Sequence, residues 1–164
     1  MKNYVLLFII IFVSTCIMLV IGNVYKYFND SKENKSYIVN KIKNYNFEDI
    51  NSGINEIRNN GLLYISYIGN KDIYSFEKDT YTILKNNNLT NKFVYIDCTK
   101  VVSNGKVDGL NDKLNIITDQ DIILPTVIYY KDGKPVDYID STNHILRSDR
   151  LLQLIEKWEI DKND

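Results

Sequence analysis

The sequence predicts a mixed α/β domain, a central sheet flanked by helices, behind an N-terminal transmembrane helix. Three observations predict it. Tyr4 to Gly22 (YVLLFIIIFVSTCIMLVIG) carries no charge over 19 residues, enough at ~1.5 Å rise per residue to cross a hydrocarbon core of ~30 Å. Beyond it, short apolar runs rich in β-branched and aromatic residues alternate with segments of helical period. Near the C-terminus, Lys131-Asp132-Gly133-Lys134 is a hairpin signal, because Asp-Gly supplies the positive φ angles of a tight β-turn.

Each element has its own local signal. Residues 1–22 read as the anchor. Residues 23–44 are polar and lysine-rich and read as a stalk. The folded domain is expected over 45–164. Ile50, Ile54 and Ile57 share one helical face, with Asp49 as a cap and Gly61 as a stop. Leu62 to Ile68 is a strand buried on both faces. Asp72 to Lys85 is a helix, with Ile73, Phe76, Ile83 and Leu84 at helical spacing, ended by Asn86-Asn87-Asn88. Phe93 to Ile96 is a second buried strand. Residues 99–109 form a loop with turns at Asn104-Gly105 and Asp108-Gly109. Leu110 to Ile117 is a short helix. Ile122 to Tyr130 is a third strand, interrupted at Pro125, and Pro135 to Ile139 returns as an edge strand, where proline is tolerated. Ser148 caps a last amphipathic helix with Leu151, Leu154, Ile155 and Trp158 on its apolar face. Strands alternating with helices and closing on a hairpin define a mixed sheet.

Composition narrows the function. At 45% apolar and 25% charged residues the chain is globular. A net charge of −1 gives no electrostatic case for nucleic acid. Two cysteines and one histidine cannot build the usual zinc or disulfide frameworks. No metal and no cofactor is therefore expected, and no Gly-rich phosphate loop or nucleophile elbow is present.

The apolar N-terminal run leaves three readings: a single-pass anchor, a signal peptide cleaved after Val20-Ile21-Gly22, and a lipoprotein signal in which Val13-Ser14-Thr15-Cys16 presents Cys16 for lipidation. Its length favours the anchor, with the membrane as the partner of Tyr4 to Gly22. Lys26, Lys32 and Lys35 outnumber Lys2 and lean towards a cytoplasmic domain. By analogy, short N-terminal anchors export the domain behind them, so this one is expected outside the cytoplasm.

Leu124-Pro125-Thr126, then Val127 to Tyr130 and Lys131-Asp132-Gly133-Lys134-Pro135-Val136, resembles the cis-proline strand and hairpin of thioredoxin-like proteins. The likeness covers about residues 45–160. Tyr67-Ile68-Gly69 after the first core strand is similar to the bacteriocin-transport accessory type of Gram-positive bacteria. The resemblance implies a thioredoxin-like fold and a Cys-x-x-Cys pair at the start of the following helix. Those two positions here are Ile73 and Phe76, with Tyr74 and Ser75 between. The helper acid of the family maps to Tyr67. Thiol–disulfide exchange needs a thiolate, so the resemblance implies a redox-inactive member.

What remains of the family's site is its groove. The resemblance implies a cis bond before Pro125, which presents the Leu124 backbone to an extended peptide. Ile73, Tyr74 and Phe76 would add apolar area beside it, although Phe76, in register with Ile83, equally suits plain core. The expected partner is another polypeptide. Two alternatives stay open: a monothiol oxidoreductase or redox sensor using Cys98, and a structural tether without a ligand groove. Asp97 beside Cys98 disfavours its thiolate. His144, the sole histidine, reads as part of a polar loop.

Overall fold

The computed structural model describes residues 2–33, 35–118, 120–142 and 146–160. His144 lies outside the described residues. The elements are α1 (Lys2–Glu33), β1 (Lys43–Asn46), α2 (Ile50–Ile57), β2 (Asn60–Ser66), α3 (Lys71–Asn86), β3 (Phe93–Asp97), α4 (Leu110–Leu114), β4 (Thr126–Lys131), β5 (Lys134–Ile139) and α5 (Ser148–Lys157).

The five strands form one mixed sheet in the order β1-β3-β2-β4-β5. β1, β3 and β2 run parallel, and β4 and β5 are antiparallel. The central strands are apolar over their middle residues because both faces are covered. Leu62 and Tyr64 of β2, Phe93 and Tyr95 of β3, and Val127 and Tyr129 of β4 share one core with Phe76 and Leu84 of α3 and Leu151, Leu154 and Ile155 of α5. The alternate residues Leu63, Ile65, Val94, Ile96, Ile128 and Tyr130 build the second core with Ile50 and Ile57 of α2 and Leu110 and Leu114 of α4. Period-2 alternation thus divides each strand between two layers.

The hairpin forms as its sequence dictates. Asp132 and Gly133 have φ of 51° and 80°, the pair of positive values that a type I′ turn requires. Pro135 sits on β5, at the sheet edge. Gly61 is required for a different reason. A Cβ there would stand 2.7 Å from Ile57 Cβ and 2.9 Å from the Lys92 carbonyl oxygen.

Several expectations are corrected. The chain from 35 to 44, read as the end of a stalk, belongs to the folded layer. Ile38 and Ile42 are buried in the first core, and Lys43–Asn46 is strand β1, an edge strand of polar sequence. Gly22 does not end α1, which continues helical through Glu33; one glycine in a helix costs only ~1 kcal/mol. Among the described residues, the stretch long and apolar enough to cross a membrane is Ile9–Tyr27, with none of it buried. α4 stops at Leu114, short of Ile117, because Asn115 turns left-handed with φ 54°. Asp49 and Ser148 make no side-chain cap: Arg147, not Ser148, occupies the position before α5.

Candidate functional site

The site is built where α3 starts. The side chain of Asn70 accepts a hydrogen bond from the Asp72 N–H at 2.7 Å, satisfying one of the open donors of the first turn. That cap fixes the direction of α3, and Ile73 and Phe76, at i and i+3, then face the same way. Opposite them the chain enters β4 through Leu124 and Pro125, and the peptide bond between these two is cis. The Ser141 hydroxyl donates to the Pro125 carbonyl at 3.0 Å, and the Ser141 N–H donates to the Ile123 carbonyl at 3.2 Å. These bonds bring the segment before α5 over the β4 entrance.

Between these walls lies a cavity of about 170 Å³, lined by Tyr67, Asn70, Asp72, Ile73, Phe76, Leu124, Pro125, Ser141 and Leu146. A second hollow of about 330 Å³ shares Asp72, Phe76 and Leu146 and runs on between α3 and the start of α5, past Asp79, Arg147 and Asp149. The first cavity is smaller than the ~300–1,000 Å³ of small-molecule sites. It matches roughly six water volumes at ~30 Å³ each, the scale of one bulky side chain.

Four of the five residues expected in the groove therefore meet: Ile73, Phe76, Leu124 and Pro125. Tyr74 does not join them. One helical step turns it about 100° from Ile73, and its ring instead packs edge-on against Tyr37 at 5.6 Å. A second expectation is also corrected. The Leu124 N–H is not presented to an incoming strand, because it already donates to the Gly105 carbonyl at 2.7 Å. The Asn104-Gly105 turn, φ 50° and 75°, delivers that carbonyl, so the chain's own loop takes the place of a pairing peptide. Tyr67, Asn70, Asp72, Ser141 and Leu146 were not picked out as lining residues from sequence. Asn70 two residues before an acid at a helix start carried a capping signal that could have placed it. Ser141 and Leu146 reach the cavity by tertiary path and carried none.

Cys98 stands apart. Its side chain is fully buried in the second core, and its N–H donates to the Ser66 carbonyl at 2.8 Å. Burial first, then the charges of Asp97 and Glu48, pushes its thiol up to about 12. At pH 8 such a group is thiolate in roughly one molecule in ten thousand. In the folded chain Cys98 is expected to stay unlabelled by maleimide over hours and to label within minutes after denaturation. Rapid labelling of the native protein would make Cys98 a reactive group after all. Cys16 is exposed on α1. Among the described residues no cluster of His, Cys, Asp and Glu suits a metal ion.

This architecture, with a cis-proline strand facing the start of the helix after the first core strand, defines a thioredoxin-like fold. Solved thioredoxins agree with it. Thioredoxin f2 of Chlamydomonas reinhardtii superposes with a TM-score of 0.51 at 14% identity, covering 73% of this chain and 97% of that one. Thioredoxin of Trypanosoma brucei brucei gives 0.50 at 13%, covering 74% and 93%. At these identities the likeness is one of fold. No family model and no curated protein sequence matches the chain.

Proposed function

We propose that this chain is a single-pass membrane protein whose thioredoxin-like domain, held outside the cytoplasm, binds a polypeptide and does not exchange disulfides. It would serve as an accessory in the export or assembly of secreted peptides, the role implied by its resemblance to the bacteriocin-transport accessory type. One observation carries the reading. The cavity beside Pro125 is walled by Ile73, Phe76, Leu124 and Leu146 at the place where the resembled family keeps its thiol pair, and neither cysteine lines it. Such a cavity offers apolar burial without a nucleophile. Its volume favours one side chain of a partner over a small molecule. Because the Leu124 N–H is already bonded, recognition works by inserting a side chain, with the half-buried Tyr67 and Asp72 at the mouth, rather than by adding a strand. The apolar Ile9–Tyr27 stretch of α1 supports the anchor.

Two measurements test it. Protease protection of a C-terminal tag in intact cells reads the side of the membrane, and a protected, cytoplasmic tag removes the export role. A photo-cross-linking residue at Tyr67 should trap polypeptide adducts that the same residue at Tyr138, exposed on β5, does not. Equal trapping at both positions, or none at Tyr67, leaves the structural tether as the better reading.

A further inference from the structure

On the side of α3 turned away from the cavity, Lys71, Tyr74, Lys78, Tyr81 and Lys85 recur at spacings of three and four. At 100° per residue they fall within an arc of about 80°. The three lysines are exposed and the two tyrosines half-buried. The acids of α3 lie elsewhere: Asp72 and Asp79 line the groove, and Glu77 is buried. Tyr37 extends the stripe, with its ring 5.6 Å from that of Tyr74 and 6.2 Å from that of Tyr81, and the Lys41 ammonium stands 2.9 Å from the Tyr37 centroid. Among the described residues none of Lys41, Lys71, Lys78 and Lys85 forms an ion pair.

We propose that this lysine–tyrosine stripe docks the domain onto anionic lipid headgroups of the bilayer that α1 spans. The inference rests on the reading of α1 as a membrane anchor. Chain length selects the occupant. Eight residues separate Tyr27, the end of the apolar stretch, from Ser36, which Glu77 holds on α3. α1 stays helical to Glu33, so those residues reach about 20 Å at most. That reach keeps Ser36, and with it Tyr37 and the neighbouring stripe, close to the end of the apolar stretch. Its chemistry fits the place. Tyrosine partitions to the headgroup level, lysine snorkels to phosphate, and uncompensated positive charge is drawn to an anionic leaflet.

The test uses the full chain with Cys16→Ser, carrying a nitroxide on Thr82→Cys beside the stripe or on Asn115→Cys across the sheet. It is reconstituted in phosphatidylcholine vesicles, or in vesicles where one lipid in three is phosphatidylglycerol. In the anionic vesicles the label at 82 should be sheltered from a water-soluble nickel complex by about fivefold or more, since each lysine near such a surface is worth about that factor. The label at 115 should not change. Lys78→Glu with Lys85→Glu, both at exposed positions, should abolish the sheltering and leave the thermal melt intact. Equal exposure at 82 in both vesicle types, sheltering at 115, or sheltering that survives charge reversal overturns the docking. Sheltering in detergent on adding soluble polyglutamate, but not in anionic vesicles, assigns the stripe to an acidic protein and also overturns it. A chain that carbonate extracts from vesicles removes the anchor and the docking together, whereas an inserted chain with a wet α3 removes the docking alone.

Discussion

Replacing Glu77 by alanine is expected to destabilise the domain by about 2–4 kcal/mol. Glu77 is wholly buried on α3. Its carboxylate accepts from the Ser36 hydroxyl at 2.8 Å, the Tyr37 N–H at 2.6 Å and the Tyr64 hydroxyl at 3.4 Å. Those bonds tie the segment after α1 to the centre of the sheet. Alanine leaves the Tyr64 hydroxyl without its partner in the core and frees residues 36–38, whose Ile38 is also buried. Relief from holding a desolvated carboxylate offsets part of the loss. Urea melts of the full chain in detergent read the difference, and a change below about 0.5 kcal/mol would mean that the latch holds nothing.

The same residue sets a pH dependence. Burial raises the Glu77 carboxyl above its ordinary value, against the lowering by its hydrogen bonds from Ser36, Tyr37 and Tyr64. The folded chain therefore binds a proton here more readily than the unfolded chain. Linkage then makes this contribution fall as pH rises from the ordinary carboxylate range through the folded value. Glu56 and Asp137 are shifted the other way. Their contribution is lost only as pH falls below that range. The Glu77 contribution is thus expected to grow as pH falls through its raised folded value towards the ordinary carboxylate range, and Glu77→Gln, which keeps the shape but cannot titrate, should remove that part of the slope. A slope unchanged in Glu77→Gln would assign it to another group.

Glu77 also marks where the sequence stops being legible. Central strands β2, β3 and β4 could be read because each is apolar on both faces, and the β4–β5 turn because only Asp-Gly chemistry suits it. β1 could not. Lys43–Asn46 is exposed over most of its length and is recognisable only by its backbone pairing with β3. Ile38 and Ile42, two apolar residues in a lysine-rich run, look like stalk until a carboxylate some forty positions later draws them onto the domain. The candidate site divides in the same way. The resemblance brought Ile73 and Phe76 to face Leu124 and Pro125, and helical period alone separates Tyr74 from them. The bond from the Leu124 N–H to the Gly105 carbonyl depends on how a loop folds back, and local sequence carries no signal of it.

Phe76→Ala is expected to cost about 3–5 kcal/mol, the range for truncating a buried phenyl ring. The ring is 4% exposed, and its centroid stands 5.6 Å from that of Tyr64, so it fills the core and walls the cavity at once. Phe76 is therefore a core residue that also lines the cavity. Denaturant unfolding of the full chain measures the loss, and a cost under about 1 kcal/mol would mean that Phe76 is a rim residue. The consequence reaches the chemistry. In the resembled family this position holds the second, resolving thiol, a side chain much smaller than a phenyl ring. Here it holds a ring that Tyr64, itself bonded to Glu77, is packed to receive. Phe76→Cys loses nearly as much ring contact as Phe76→Ala, so a thiol pair rebuilt as Ile73→Cys with Phe76→Cys is expected to destabilise the first core. The apolar pair at 73 and 76 is thus part of how this domain packs, and the cavity beside Pro125 is what that packing leaves open.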